Sequence, residues 1–289
     1  MPRINRAIEL LEQGQPIYYT GPSHLSYEGG VASAQTWADY IIIDMEHGMY
    51  NLPAVEAFMK GLTDGGPTRS GHRTPTVITT LPMDGTDETV MLSNAWMVKQ
   101  VLAQGVHGIL LCHARTPEAV RVFVESARFP FHTIGVGDVI GEGQRGGGGQ
   151  GMAAASWGIS SDEYLQKADV WPLNPEGEIM LGLKIEDRYG LVNAEASLQI
   201  PGIAFAEWGP GDMGMSFGYP NQHDPPYPPE MDAARAAVLN ACLTNNVAFL
   251  NSVSSDDVID MIAEGVRVGG GSQEAAEIGR RHTGRTIPW

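Results

Sequence analysis

Only two cysteines, Cys112 and Cys242, occur in the 289 residues. Two thiols make neither a disulfide framework nor a cysteine-spaced zinc site. Lysine is nearly as scarce, and basic residues number 18 against 34 acidic ones, for a formal charge of −16. Phosphate backbones are bound by clustered Lys and Arg, so no nucleic-acid partner is expected. The acidity implies solubility and does not identify a substrate. No apolar run approaches the ~20 residues that a membrane-spanning helix needs, so no membrane partner is expected. The opening M-P-R-I-N-R-A-I-E-L-L has the spacing of a short amphipathic helix and lacks the apolar core of an export signal. The expected compartment is the cytoplasm.

What the chain has is alternation. Its length suits one α/β barrel or two small domains, and its apolar fraction of 43% is ordinary for a globular protein. Residues 40–43, Y-I-I-I, read as a strand buried on both faces. Strands are also expected at 16–20, 76–81, 107–112, 179–186, 203–208, 247–251 and 266–269. Helices are expected at 4–13, 30–37, 53–62, 93–104, from 116, at 194–200, 232–245 and 256–263. Eight strand–helix repeats predict a single (β/α)8 TIM barrel over residues 1–289. Residues 131–178 break the rhythm and read as a long excursion over one mouth, with one helix at 162–168. Its glycines at 146–149 lack the G-K-[ST] ending of a phosphate loop. The segment from Arg280 onward reads as irregular and suited to packing on a partner subunit.

Chemistry concentrates where strands end. The run Y-I-I-I stops in Asp44, Glu46 and His47, and two carboxylates and an imidazole there are costly unless used or paired. In a barrel that end carries the chemistry. Glu186 ends L-G-L-K-I-E, and Asp212 lies in G-P-G-D, whose glycines permit close approach to a ligand. Alone, Glu186 reads as an acid capping the next helix; with Asp212 and facing His47 it reads as part of an oxygen-rich site. Such a site suits Mg²⁺ or Mn²⁺, with Co²⁺ also accepted.

These segments resemble the HpcH/HpaI aldolase family. Y-I-I-I-D-M-E-H-G is similar to its D-x-E-H segment, L-K-I-E-D to v-x-i-E-t, and E-W-G-P-G-D-M to f-i-G-P-x-D-L. V-K-Q-V-L-A-Q-G-V-H-G-I-L-L and S-F-G-Y-P also match, and the order holds from about Tyr18 to Gly270. The resemblance implies a class II aldolase barrel of the phosphoenolpyruvate/pyruvate type, assembled as a homo-oligomer, a hexamer or trimer of dimers. It implies a divalent metal on Glu186 and Asp212, chelated by a 2-oxo acid such as pyruvate, with an aldehyde as the other partner. It makes His47, held by Asp44, the acid–base residue, with Glu46 behind it, and the amides around Gly211 and Asp212 the carboxylate's seat.

One family feature is missing. The arginine that ends the third strand in v-v-R-x-p is replaced by Thr80 or Leu81. Three residues are candidates for the lost cation: Lys184, which shares strand parity with Glu186; His113, in C-H-A-R at the end of the fourth strand; and Arg145, in the glycine-rich insert. Lys184 ranks first, although a buried salt bridge would explain it as well. The leading expectation is a metal-dependent carbon–carbon lyase. The alternatives are a relative with altered chemistry, such as decarboxylation or aldehyde loss from a non-pyruvate substrate, a Schiff-base aldolase using Lys184, and a barrel that only binds a metal–carboxylate ligand.

Overall fold

The computed structural model describes residues 3–285. In chain order its elements are α1 (Arg6–Glu12), β1 (Ile17–Thr20), α2 (Tyr27–Ser33), β2 (Tyr40–Ile43), α3 (Leu52–Asp64), β3 (Thr76–Asp84), α4 (Glu88–Leu102), β4 (Gly108–Cys112) and α5 (Pro117–Ala127). Then come α6 (Gln150–Trp157), α7 (Ser161–Lys167), β5 (Val170–Trp171), β6 (Ile179–Lys184), α8 (Arg188–Val192), α9 (Ala194–Leu198), β7 (Ile203–Glu207) and α10 (Pro210–Phe217). The last are α11 (Pro229–Thr244), β8 (Ala248–Ser252), α12 (Val258–Glu264), β9 (Val266–Gly270) and α13 (Gln273–His282). No helix among the described residues is long and apolar enough to cross a membrane.

Eight parallel strands close a barrel in the order β1, β2, β3, β4, β6, β7, β8, β9, with β4 paired to β6 and β9 back to β1. The short β5 lies beside β6 through Val170 and Ile179. The expected (β/α)8 barrel is therefore present. Strand side chains alternate, so each strand feeds two cores. Ile17, Tyr40, Ile78, Leu110, Met180, Phe205, Leu250 and Val268 fill the inside, while Ile41, Ile43, Val77, Ile109, Leu111 and Leu183 pack outward on the helices. Gly182 makes the interior fit: a Cβ there would lie 2.4 Å from the Phe205 ring.

The amino-terminal end of the barrel is closed by α1. Asn5 caps that helix by accepting from the Ala7 and Ile8 amides, and its Nδ2 donates to the Glu178 carbonyl. Its Oδ1 also accepts from Thr76 Oγ1 at 2.9 Å.

The excursion holds two helices and a short strand instead of one helix, and it lies at the same end. Trp157 Nε1 donates to the Gly105 carbonyl and its ring stacks on His107 at 5.4 Å. Tyr164 donates to the Leu102 carbonyl, and the buried Arg128 holds Asp169. Gly105 and Leu102 end α4 and His107 precedes β4, so these anchors are far from the strand carboxyl ends. The segment expected to be irregular is helical to His282, and residues 286–289 lie outside the described residues. The partner-packing expectation rests partly on those.

Candidate active site

Asp44 follows the last residue of β2 and organises a tight turn. Its Oδ1 accepts from the amides of Glu46 (2.9 Å) and His47 (3.2 Å), and its Oδ2 lies 2.9 Å from His47 Nδ1. Thr80, from β3, completes the turn: its Oγ1 accepts from the Met45 and Glu46 amides and donates to Asp44 Oδ1 at 2.9 Å. Gly48 is required here, because a Cβ would fall 2.6 Å from the Asp44 carbonyl oxygen. Burial pushes the Asp44 carboxyl up, but its bonds to His47 and Thr80 outweigh this and hold it low. The same Asp44 bond raises the His47 imidazole. With Nδ1 engaged, Nε2 is left for a ligand, on a side chain that is 67% exposed.

Below this turn lies a buried charge chain. Lys184, the last residue of β6, places Nζ 2.6 Å from Glu46 Oε2 and 2.9 Å from Glu186 Oε2. Burial would lower its pKa, but Glu186, Glu207 and Glu46 outweigh this and raise it. Glu207, the register partner of Lys184 on β7, is pushed up to about 7 by desolvation, against the pull of Lys184. Glu186 is almost wholly buried, and desolvation raises its carboxyl too.

His113 follows β4 with φ of +45°, a left-handed backbone that a non-glycine residue rarely takes. Its amide donates to Glu186 Oε1 at 2.8 Å. Its Nδ1 lies 3.4 Å from Asp187 Oδ2 and 3.7 Å from Glu186 Oε1, and its Nε2 lies 3.9 Å from Glu46 Oε1. The Asp187 carboxylate above all, then Glu186, raises the imidazole to about 9. Asp187 is itself fixed by Arg115 Nε at 2.7 Å and by the amides of Tyr189 and Gly190. Asp212 enters from the first turn of α10. The preceding Gly209 has φ of +52°, and a Cβ there would sit 2.3 Å from Glu186 Cβ, so only glycine lets the β7–α10 junction approach Glu186 so closely.

Of the residues expected from sequence, Glu46, His113, Glu186 and Asp212 each bring one ligand atom within 4.8 Å of the others. Asp44, Glu46 and His47 form an adjoining group on the same terms, and Lys184 bridges the two through Glu46. Gly211 is at the second position of α10, where amides have no intrahelical partner, and a Cβ there would meet nothing within 4 Å. Thr80, one of the two candidates for the family's arginine position, serves the Asp44 turn. Arg145 is not brought to the mouth: its guanidinium stacks 4.2 Å over Phe129 and donates to Tyr164, because the excursion that carries it is anchored at the opposite end. Asp187, Glu207 and Arg115 were not singled out. Asp187 is visible in hindsight as the second acid of I-E-D, and Glu207 as a lone acid ending an apolar run.

The donor set fits a divalent ion. Carboxylates and an imidazole suit hard to borderline metals. Two buried atoms at the site, Glu186 Oε2 and His113 Nδ1, have no hydrogen-bond partner among the described residues, Oε2 having only its ion pair with Lys184.

Closed parallel barrel and polar carboxyl-end mouth define a (β/α)8 protein with its candidate chemistry where that fold carries it. The sequence places it further: the profile of the HpcH/HpaI aldolase/citrate lyase family matches residues 84–272, and the chain belongs to that family. The 2-keto-3-deoxy-L-rhamnonate aldolase of Salmonella paratyphi B (strain ATCC BAA-1250 / SPB7) is 31% identical over 125 residues, 43% of this chain and 40% of that protein. The match thus spans less than half the length of these curated relatives. Among solved structures, an HpcH/HpaI aldolase/citrate lyase family protein from Burkholderia cenocepacia J2315 superposes with a TM-score of 0.71, 21% identity and 96% coverage of both chains. The citrate lyase beta subunit of M. tuberculosis, complexed with oxaloacetate and magnesium, superposes with a TM-score of 0.52 at 13% identity, covering 93% of this chain and 96% of its own.

Proposed function

We propose that the protein is a divalent-metal-dependent carbon–carbon lyase of the class II aldolase type, acting on a 2-oxo acid with an aldehyde as the second product. The observation that carries this reading is the convergence of Glu186, Asp212 and the Asp44–His47 pair on one barrel mouth, in a chain of this family. Mg²⁺ or Mn²⁺ would be held by Glu186 and Asp212 and, when bound, supplies a Lewis acid for the ketone of the 2-oxo acid.

The chain's own groups account for the remaining steps. His47 Nε2 takes the proton from the hydroxyl on the carbon β to the ketone, whose oxygen becomes the aldehyde carbonyl, while Asp44 holds Nδ1 and steadies the imidazolium. The carbon–carbon bond breaks, and its electron pair moves into the 2-oxo acid as an enolate, which is then protonated. Free amides at the start of α10, at Gly211 and Asp212, suit the substrate carboxylate. A cavity of about 580 Å³ beside them, reaching Tyr227, Arg235 and Ser252, offers room for the aldehyde part.

Lys184 supports the enolate as a fixed positive charge. Its ion pairs hold it protonated, whereas Schiff-base chemistry needs a neutral amine, which disfavours that alternative. Thr80 in place of the arginine favours a second reading, altered chemistry on a non-pyruvate substrate.

The test is α-proton exchange of pyruvate in D₂O, with retro-aldol cleavage of 2-oxo-4-hydroxy acids, after EDTA treatment and after reloading with Mg²⁺ or Mn²⁺. Activity that is lost and then restored is expected. Full activity in metal-free protein overturns the proposal. Cleavage without pyruvate exchange selects the altered-chemistry reading.

His47 adds a pH signature. As a base it works neutral, and Asp44 raises its pKa above the ordinary 6.5, so kcat/KM should rise with pH through a limb lying above that value. Asp44→Asn should move the limb down and lower kcat. His47→Ala should cut kcat by ~10²–10⁴ and abolish the limb. A pH–rate profile that His47→Ala leaves unchanged removes this residue from the chemistry.

A further inference from the structure

Two carboxylates leave an octahedral ion short of protein ligands. Building on the metal site proposed above, we infer that His113 is a third protein ligand through Nε2, giving the ion a mixed nitrogen–oxygen shell.

The argument starts from the two edges of each carboxylate. Lys184 Nζ contacts Oε2 of Glu46 and Oε2 of Glu186, at 2.6 and 2.9 Å. The His113 ring lies on the other edges, with Nε2 3.9 Å from Glu46 Oε1 and Nδ1 3.7 Å from Glu186 Oε1. An ion on the His113 side therefore need not displace Lys184. The candidate ligand atoms of Glu46, His113, Glu186 and Asp212 lie within 4.8 Å of one another. Donors around an octahedral ion lie roughly 3.0 Å apart when cis and 4.3 Å when trans, so the group must draw together around an ion.

The surroundings of the ring point the same way. Asp187 Oδ2 lies 3.4 Å from Nδ1, a charge contact and not a hydrogen bond, and a carboxylate on that side favours the proton on Nδ1 and the lone pair on Nε2. Asp187 is held by Arg115 and by two amides of α8, so the ring has a fixed carboxylate behind it, the arrangement by which carboxylates orient metal-bound histidines. A nitrogen donor moves the site away from strict oxygen preference, so Mn²⁺ and Co²⁺ gain over Mg²⁺.

The experiment is pulsed EPR of the full chain loaded with Mn²⁺, unlabelled and with ¹⁵N-histidine, beside calorimetric titration with Mn²⁺ and Mg²⁺. The expected result is a directly coordinated nitrogen in wild type that changes isotope signature with the label. It should persist in His47→Ala and vanish in His113→Ala and in His113→Gln. Both His113 variants should still bind Mn²⁺, with affinity lowered ~10–100-fold and lowered less for Mg²⁺. Bound Mn²⁺ without a coordinated nitrogen in wild type overturns this inference alone and leaves the metal site standing. A nitrogen signal that survives in His113→Ala and vanishes in His47→Ala assigns the ligand to His47 and also overturns it. Failure of wild type to bind Mn²⁺ removes the metal site itself.

Discussion

Glu186→Gln and Asp212→Asn should each give a folded barrel that no longer binds Mn²⁺ and has lost at least ~10³ in kcat, about 4 kcal/mol of barrier. Glutamine keeps the volume of Glu186 and its oxygen can still accept the His113 amide, so no cavity is created, but its amino group then faces Lys184 Nζ and that ion pair is lost. The wild-type carboxylate is costly to bury, which is why its pKa is raised. Removing that charge relieves its burial but takes one of two carboxylates away from Lys184, so stability to urea should fall for Glu186→Gln while the protein stays folded. A folded protein with lost metal binding marks a group that serves the chemistry as well as the fold. Mn²⁺ dialysis, urea unfolding and kcat on the same preparations decide it; a Glu186→Gln protein that binds no metal and keeps wild-type kcat refutes the assignment.

Lys184→Met is the second large effect, and it has two parts. Without Nζ, the carboxylates of Glu46 and Glu186 share a pocket with no cation between them, and both are largely buried. Breaking a buried pair by removing one partner costs ~3–5 kcal/mol. The catalytic part is the loss of a fixed positive charge near the enolate, worth a factor of ~10²–10³. A double variant separates them: Lys184→Met with Glu46→Gln should recover much of the stability and none of the pyruvate exchange rate. Arg145→Ala, which loses its stacking on Phe129 and Tyr164 and its bond to Tyr164, should lower stability and leave exchange intact. If the double variant exchanges protons at the wild-type rate, Lys184 is a structural counter-charge. If Arg145→Ala is inactive, the ranking of the three cations is wrong.

The parts of the fold that could be read from sequence are those set by local patterns. Buried strands show as short apolar runs, and Asp44, Glu186 and Asp212 stand out because acids seldom follow such runs. Lys184 was readable by parity with Glu186, since alternation alone turns both inward. The site's fine structure was not. That Thr80 would take up the Asp44 turn depends on β2 and β3 lying in register, which no local pattern encodes. Helix α6 was hidden because its start, Gly149, has a left-handed backbone and no capping side chain, so the glycine run reads as a breaker. Helix α10 was hidden in the same way behind G-P-G-D, where Pro210 opens the helix. Arg145 was misjudged because its address depends on where the excursion is anchored, on residues dozens of positions away. Its guanidinium needed a partner, and the aromatic ring of Phe129 supplied one at the far end of the barrel.

The pairing of β1 with β9 has a consequence for how the molecule comes into being. Ile17 and Val268 are register partners, so the seam joins nearly the two extremes of the chain. During synthesis one edge of β1 has no partner until residues 266–270 have left the ribosome, and the partly built sheet stands open. Closure waits on a loop that runs from β1 to β9, and closing long loops is the step that slows folding in proteins of high contact order. The nascent chain therefore spends most of its synthesis with one edge of β1 unpaired.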